Sequence, residues 1–222
     1  MRRVDLVVLD LVGTTVQADD AVPQAFAAAL AAEGVAIAPD ALTALRGATK
    51  RQAVEALLPP GPDLAARVER AYGLFQARLF DAYTPGRVAP IAGALDAIER
   101  LRSAGVLVAL NTGFDRALAS HLLEALGWTA VADVLVAGDE VAQGRPAPFL
   151  IYGAMERTGV IDVGRVANVG DTVMDLEAGH HARAGWNIGV WSGAHDRARL
   201  AAAPHTHLCA SIADVPAVLG LA

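Results

Sequence analysis

The sequence predicts an α/β fold, a doubly wound parallel sheet with an all-helical cap inserted after its first strand. Three observations predict it. From residue 86 onward, short apolar runs alternate with helical periodicities, the pattern of a parallel sheet covered by helices on both faces. The run Val4-Asp5-Leu6-Val7-Val8-Leu9-Asp10 passes into Leu11-Val12-Gly13-Thr14-Thr15, so it reads as a buried strand opening into a turn. Between Ala18 and Tyr83 nothing reads clearly as a strand. The expected division is an α/β core of residues 1–16 and 86–222 and a helical cap domain of residues 17–85.

Composition agrees with a globular chain. The protein has 222 residues, 54% of them hydrophobic and 19% charged. A formal net charge of -6 and a pI near 5.4 give no electrostatic footprint for nucleic acid or an anionic membrane. Cys209 is the only cysteine, which excludes an internal disulfide and a cysteine zinc cluster. A reducing, cytoplasmic setting is the expectation. Met1-Arg2-Arg3 looks like the start of a signal peptide, but Asp5 and Asp10 interrupt the apolar run and no small-residue cleavage pattern follows. No apolar stretch is long enough to span a bilayer.

The elements follow in order. Pro23 suits the first position of an alanine-rich helix, Ala21 to Glu33, stopped by Gly34. Pro39-Asp40 starts a short helix to Arg46, ended by Gly47. Thr49 can N-cap the next helix, through Leu58, before Pro59-Pro60-Gly61-Pro62 breaks the chain. Leu64, Val68, Tyr72, Phe75 and Leu79 stand at helical spacing between Asp63 and Ala82. After Pro85-Gly86 the expected helices are Ile91–Ser103, Asp115–Leu126, Pro146–Thr158, Thr172–Ala182, Asp196–Ala202 and Ile212–Leu219. The strands between them are Val106–Leu110, Val134–Ala137, Arg165–Val169, Trp186–Val190 and Thr206–Cys209.

Four strand ends carry chemistry. Ligands of open parallel sheets sit beyond the carboxyl ends of the strands, where Asp10, Asn111-Thr112-Gly113, Gly144-Arg145-Pro146 and Gly170-Asp171-Thr172 fall. Asp175 follows one turn into its helix. Carboxylates from separate rigid elements suit a hard dication. The Thr112 hydroxyl and backbone N–H groups at a helix start suit a phosphoryl oxygen, and Arg145 adds a permanent planar cation. A carboxylate nucleophile, a dication, a hydroxyl and a cation together describe phosphoryl transfer through an aspartyl-phosphate.

With these motifs in order, the chain resembles the haloacid dehalogenase superfamily over nearly its whole length. The resemblance implies a Rossmann-like core with a cap that closes over the site. It implies Asp10 as nucleophile, Thr112 as phosphate ligand, Arg145 where lysine is usual, and magnesium held by Asp171 and Asp175. Gly13, Thr14, Thr112, Gly113 and Arg145 are the expected phosphate-binding residues. Asp10 and the backbone carbonyl of Val12 would complete the magnesium ligands, because valine offers no side-chain ligand.

Val12 is also a departure. Most of the superfamily has there a second aspartate that protonates the leaving group. An apolar residue at this position is similar to the phosphonatase (phosphonoacetaldehyde hydrolase) branch, which also carries an arginine at the place of Arg145 and a cap lysine that forms a Schiff base. The cap string Gly47-Ala48-Thr49-Lys50 resembles the segment holding that lysine. Lys50 is the only lysine, the remainder of the 18 basic residues being arginines. Only a primary amine forms an imine. Asp19 or Asp20, Ala53 and Phe114 stand where that branch has cysteine, histidine and tyrosine. The resemblance implies magnesium-dependent hydrolysis of a small phosphonate, with Asp10, Lys50, Thr112 and Arg145 catalytic. The alternatives are a phosphate-ester phosphatase of the phosphoglycolate-phosphatase type and a non-catalytic phospho-ligand sensor. No nucleic acid or membrane partner is expected, and a homodimer is a hint of the branch alone. His180-His181, His205 and His207 are expected to have ordinary surface or structural roles, Asp139-Glu140 to be loop polarity, and Trp128, Trp186 and Trp191 to pack.

Overall fold

The computed structural model describes residues 3–17, 20–37 and 47–221. Six strands, β1 (Leu6–Asp10), β2 (Leu107–Asn111), β3 (Val134–Val136), β4 (Val166–Gly170), β5 (Trp186–Val190) and β6 (His207–Cys209), form one sheet in the order β3-β2-β1-β4-β5-β6. Every pairing is parallel. β1 lies in the middle, with Asp10 level with Asn111 of β2 and Leu9 level with Val169 of β4. Strand order reverses beside β1, which opens a crevice at the carboxyl ends of β1, β2 and β4.

β1 is buried along its whole length, and its side chains serve both layers. Val7 and Leu9 enter the core shared with α4 (Ala94–Ser103), α5 (Arg116–Ala125) and α9 (Val215–Val218). Leu6 and Val8 enter the other, beside α6 (Phe149–Thr158) and α7 (Val173–Ala182). This period of two is why a parallel central strand reads as an unbroken apolar run. A smaller cluster joins Leu176 of α7 to Leu200 of α8 (Arg197–Ala201).

Between β1 and α4 the described elements are helical: α1 (Ala21–Ala31), α2 (Lys50–Leu57) and α3 (Leu64–Ala82). Phe26 of α1 meets Phe75 of α3 with ring centroids 4.5 Å apart, and Glu33 pairs with Arg67 at 3.2 Å and Arg70 at 2.9 Å. Val68, Phe75 and Leu79 of α3 belong to the same apolar cluster as Phe114 and Leu118 below them, so these helices are packed down on the sheet layer. Tyr72 Oη and Gln76 Nε2 donate to Asp115 Oδ2 at 2.5 and 2.8 Å, which ties α3 to the start of α5. No helix among the described residues is long and apolar enough to cross a membrane.

Several ends differ from the sequence reading. α1 begins at Ala21, so Pro23 stands third and not first, still within the turn whose N–H groups lack helical partners. α4 begins at Ala94, not Ile91, because Gly93 takes φ 77° at its N-cap. α6 begins at Phe149, not Pro146, with Pro148 as N-cap. The last helix divides into a 3₁₀ turn, Ile212–Asp214, and α9. Thr49 is the N-cap of α2, but its hydroxyl donates to the Gln52 side chain at 2.6 Å and not to the helix backbone. The expected helix at Pro39–Arg46 and the position of Asp19 lie outside the described residues.

Candidate active site

Three carboxylates converge at the strand ends. Asp10 closes β1, Asp171 follows β4, and Asp175 stands in the first turn of α7. The turn after β4 is a capping box. Thr172 Oγ1 accepts from Asp175 N at 3.2 Å, and Asp175 Oδ2 accepts from Thr172 N at 3.0 Å. A methyl on Gly170 would lie 2.3 Å from Asp175 Cβ, so glycine there lets the aspartate come close. Asp171 is fully buried and held at both oxygens: Thr14 Oγ1 donates at 3.2 Å and Ala194 N at 2.6 Å. Gly13, at φ 99°, presses against it, and a methyl on Gly13 would lie 2.2 Å from Asp171 Oδ2.

Asp10, Asp171 and Asp175 each offer an oxygen, all within 4.8 Å of one another. Burial raises the Asp10 carboxyl above its usual range, the Asp175 charge adds to this, and the Arg145 guanidinium opposes it. Burial likewise raises Asp171, helped by Asp10 and Asp175. Crowded carboxylates that resist ionisation are what a dication relieves, and an all-oxygen donor set fits magnesium. Among the described residues this is the one such cluster, and no histidine belongs to it.

Arg145 is buried across these carboxylates. Its Nη2 donates to Asp10 Oδ1 at 2.7 Å and also to Asn111 Oδ1, and its Nε pairs with Asp175 Oδ1 at 2.9 Å. Its Nη1 donates to the Gly47 carbonyl at 3.4 Å. Thr112, beyond β2, accepts from Phe114 N at 3.2 Å through Oγ1, so the hydroxyl proton remains for donation. Lys50 N donates to the Gly113 carbonyl at 3.0 Å, which brings the start of α2 onto this loop. Lys50 as a residue is half-buried; its amine donates to the Ala48 carbonyl at 3.2 Å and lies 5.5 Å from the centre of the Phe114 ring. Burial pushes its pKa down to about 8, with Arg145 adding to the shift and Asp10 opposing it.

The structure thus brings together Asp10, Arg145, Asp171 and Asp175 in direct contact or ligand range, with Thr112, Gly113 and Lys50 at the adjoining loop. Gly13 and Thr14, expected among the phosphate-binding residues, are engaged as follows. Gly13 N donates to Val16 O at 2.7 Å, Thr14 N to Leu11 O at 3.3 Å, and the Thr14 hydroxyl to Asp171. These donors have partners within the protein, and both residues touch Asp171. Val12 is half-buried and bridges to Val16; its side chain can neither ligate nor carry a proton.

Three features escaped the sequence reading. Asn111 braces Arg145, and its signal was a polar residue ending an apolar strand. Asp115 caps α5 by accepting from Leu118 N at 3.0 Å while holding α3. The loop after β5 embraces Asp171: Ser192 Oγ donates to the Gly13 carbonyl at 2.9 Å, Ala194 N to the carboxylate, and His195 Nδ1 accepts from Val173 N at 3.0 Å. Gly193, following β5 much as Gly170 closes β4, was the available hint. His121, His181 and His205 contact backbone carbonyls, as His181 does with Pro146 O at 2.8 Å, His207 contacts the Thr206 hydroxyl, and the centre of the His180 ring lies 5.9 Å from that of His181. Glu140 pairs with Arg116 and Arg157.

A family model described as haloacid dehalogenase-like hydrolase matches residues 4–183. The phosphonoacetaldehyde hydrolase of Bacteroides fragilis is 29% identical over 215 residues, covering 89% of this chain and 80% of that protein. The phosphonoacetaldehyde hydrolase of Bacillus cereus is 30% identical over 209 residues, covering 87% and 78%. Among solved structures, a phosphonoacetaldehyde hydrolase-like protein from Oleispira antarctica superposes with a TM-score of 0.84 at 20% identity, covering 99% of this chain and 92% of that one.

Proposed function

The chain belongs to the haloacid dehalogenase-like hydrolase family, in its phosphonatase-like branch, and from that premise we propose that it cleaves the carbon–phosphorus bond of a small phosphonoaldehyde such as phosphonoacetaldehyde. The observation that carries this reading is the place of Lys50. The chain's only lysine is half-buried beside the Asp10–Arg145–Asp175 cluster, with its pKa lowered to about 8.

The chemistry assigned to each residue follows from its surroundings. Lys50, as the neutral amine, adds to the substrate aldehyde and loses water to form an imine. The imine lets the bond to phosphorus break with its electron pair kept on carbon as an enamine. Asp10 accepts the phosphoryl group on its carboxylate, and water then releases phosphate. The enamine takes a proton and hydrolyses, returning the aldehyde product and Lys50. A carbon leaving group that departs as an enamine needs no proton at departure, which suits the apolar side chain of Val12. Arg145 and Thr112 hold the phosphoryl oxygens. Magnesium, held by Asp10, Asp171, Asp175 and the Val12 carbonyl, would neutralise charge developing on those oxygens. Residues 17–85 serve as a cap that excludes water from the imine.

One observation favours the phosphate-ester phosphatase as a second reading. The Lys50 amine faces the Phe114 ring, and Ala53 follows one turn along α2; neither can relay a proton. A phosphate-release screen with magnesium, over small phosphonoaldehydes and phosphate esters, decides between them. Release from the phosphonoaldehyde at a higher kcat/KM than from any ester is the expected result. Release from esters alone overturns the reading.

A further inference from the structure

The segment Gly47–Lys50 meets the strand-end loops through contacts that only glycine permits. A methyl on Gly113 would lie 2.4 Å from the Ala48 carbonyl oxygen. One on Gly138 would lie 2.9 Å from Thr49 Cγ2, and one on Gly144 only 2.2 Å from the same atom. None of these three glycines has a positive φ, so any residue could adopt their backbone conformations. What the chain requires there is the missing side chain, not the conformational freedom. Thr49 is buried, and its hydroxyl is turned to Gln52. Its methyl is thereby left pointing at Gly138 and Gly144.

The glycines come from different parts of the sheet edge. Gly113 follows β2, Gly138 follows β3, and Gly144 precedes Arg145. Arg145 itself donates to the Gly47 carbonyl, and Lys50 N donates to Gly113 O. Two loops, the one after β2 and the one between β3 and α6, therefore close around Ala48 and Thr49, and the next residue in the chain is the site's amine.

We propose that Gly113, Gly138 and Gly144 form a socket that seats Thr49, and that this seating sets the position of the Lys50 amine. Thr49 is a positioning residue: it acts through Lys50 and touches neither phosphorus nor metal. The consequence for turnover rests on the reading of Lys50 as the reactive amine, but the seating is measured without any substrate.

Amine labelling of the intact protein with an activated ester reads the seating directly, because Lys50 is the only lysine and its peptide is separable by mass from the α-amine. Gly144→Ala places a methyl against Thr49 Cγ2 and unseats the segment. Lys50 should then label at least about tenfold faster on the high-pH plateau, where the amine is neutral in every variant and the rate reads access alone, while the pH of half-maximal labelling rises toward the ordinary lysine value of about 10.4. Gly144→Ala combined with Thr49→Ser removes the colliding methyl and keeps the hydroxyl. The nearest Thr49 atoms to the added methyl are then 3.3 Å away. Labelling should return to within about twofold of the wild type, because the overpacking that unseated the segment is gone. Thr49→Leu, whose side chain is too long for the socket, should label fast as well, and it answers the question if Gly144→Ala is insoluble. Wild-type labelling rates in Gly144→Ala and Thr49→Leu overturn the proposal, as does a double variant that stays fast. Failure of wild-type Lys50 to form an imine would instead overturn the phosphonatase reading and leave the seating result standing.

Discussion

In the proposed reaction the carboxylate that attacks phosphorus must be ionised, and burial of Asp10 works against this while Arg145 works for it. Asparagine is nearly isosteric and keeps an oxygen toward Arg145, but it is not a carboxylate nucleophile. Asp10→Asn should therefore fold and lose more than about 10⁴-fold in phosphate release, a loss beyond that of a missing acid–base group alone. Full activity in that variant would mean that water attacks phosphorus directly. Lys50 sets the pH dependence. With its pKa lowered to about 8, the amine is neutral above that pH and protonated below it. Imine formation in the free enzyme should rise about tenfold per pH unit below 8 and level off above. An ordinary lysine would keep rising to about pH 10. Asp10, Thr112, Asp171 and Asp175 stood out in the sequence because each ends or follows an apolar strand or opens a helix; Arg145 stood out only as a cation beside Gly144 and Pro146, in a loop ahead of α6. Ala194 was not, because it serves through its backbone N–H, which has no residue-type signature. Asn111 was visible as a strand end, but its partner Arg145 lies far along the chain.

At the scale of elements, the sequence gives strands and helices through periodicity, but their ends are set by caps and by contacts it does not state. α4 starts late because Gly93 turns the chain, and Gly93 carries no periodic signal. The packing of α3 on α5 was likewise hidden, although the apolar spacing of α3 was plain. Its polar anchor, Asp115, receives Tyr72 and Gln76 from α3 and Leu118 N from its own helix. A buried carboxylate with three donors does two jobs at once, capping α5 and fixing α3. Asp115→Ala removes both and leaves the tyrosine and glutamine without that acceptor. Urea unfolding should show a loss of about 2–3 kcal/mol. A change under about 0.5 kcal/mol, the range of ordinary surface substitutions, would mean that α3 is held by its apolar face alone.

Over the whole molecule, alternating apolar runs were enough to read a parallel sheet, but not its strand order, which depends on where each crossover lands. That order puts β1 between β2 and β4 and so brings Asp10 to Asp171 and Asp175. Raised carboxyl pKa values mean that the folded, metal-free protein binds protons more tightly than the unfolded chain. The contribution of these two carboxyls to stability is then fullest at acid pH and falls as pH rises from the ordinary carboxylate range through the raised values. Magnesium binding opposes that loss. At about 100 times its dissociation constant it should add ~2.7 kcal/mol, or roughly 5–10 °C in Tm. Asp171→Asn should be no less stable than the wild type without magnesium and should gain little from it; an unchanged magnesium response would remove Asp171 from the metal site. The central claim, however, is that these carboxylates work with an amine brought to them by a helix 40 residues further along the chain than Asp10. Borohydride added during turnover of phosphonoacetaldehyde with magnesium tests it most directly. The account predicts inactivation with a reduced adduct on the Lys50 peptide, and neither adduct nor phosphate release in Lys50→Arg. Phosphate release from that substrate by Lys50→Arg, with no adduct on the wild-type protein, would contradict it.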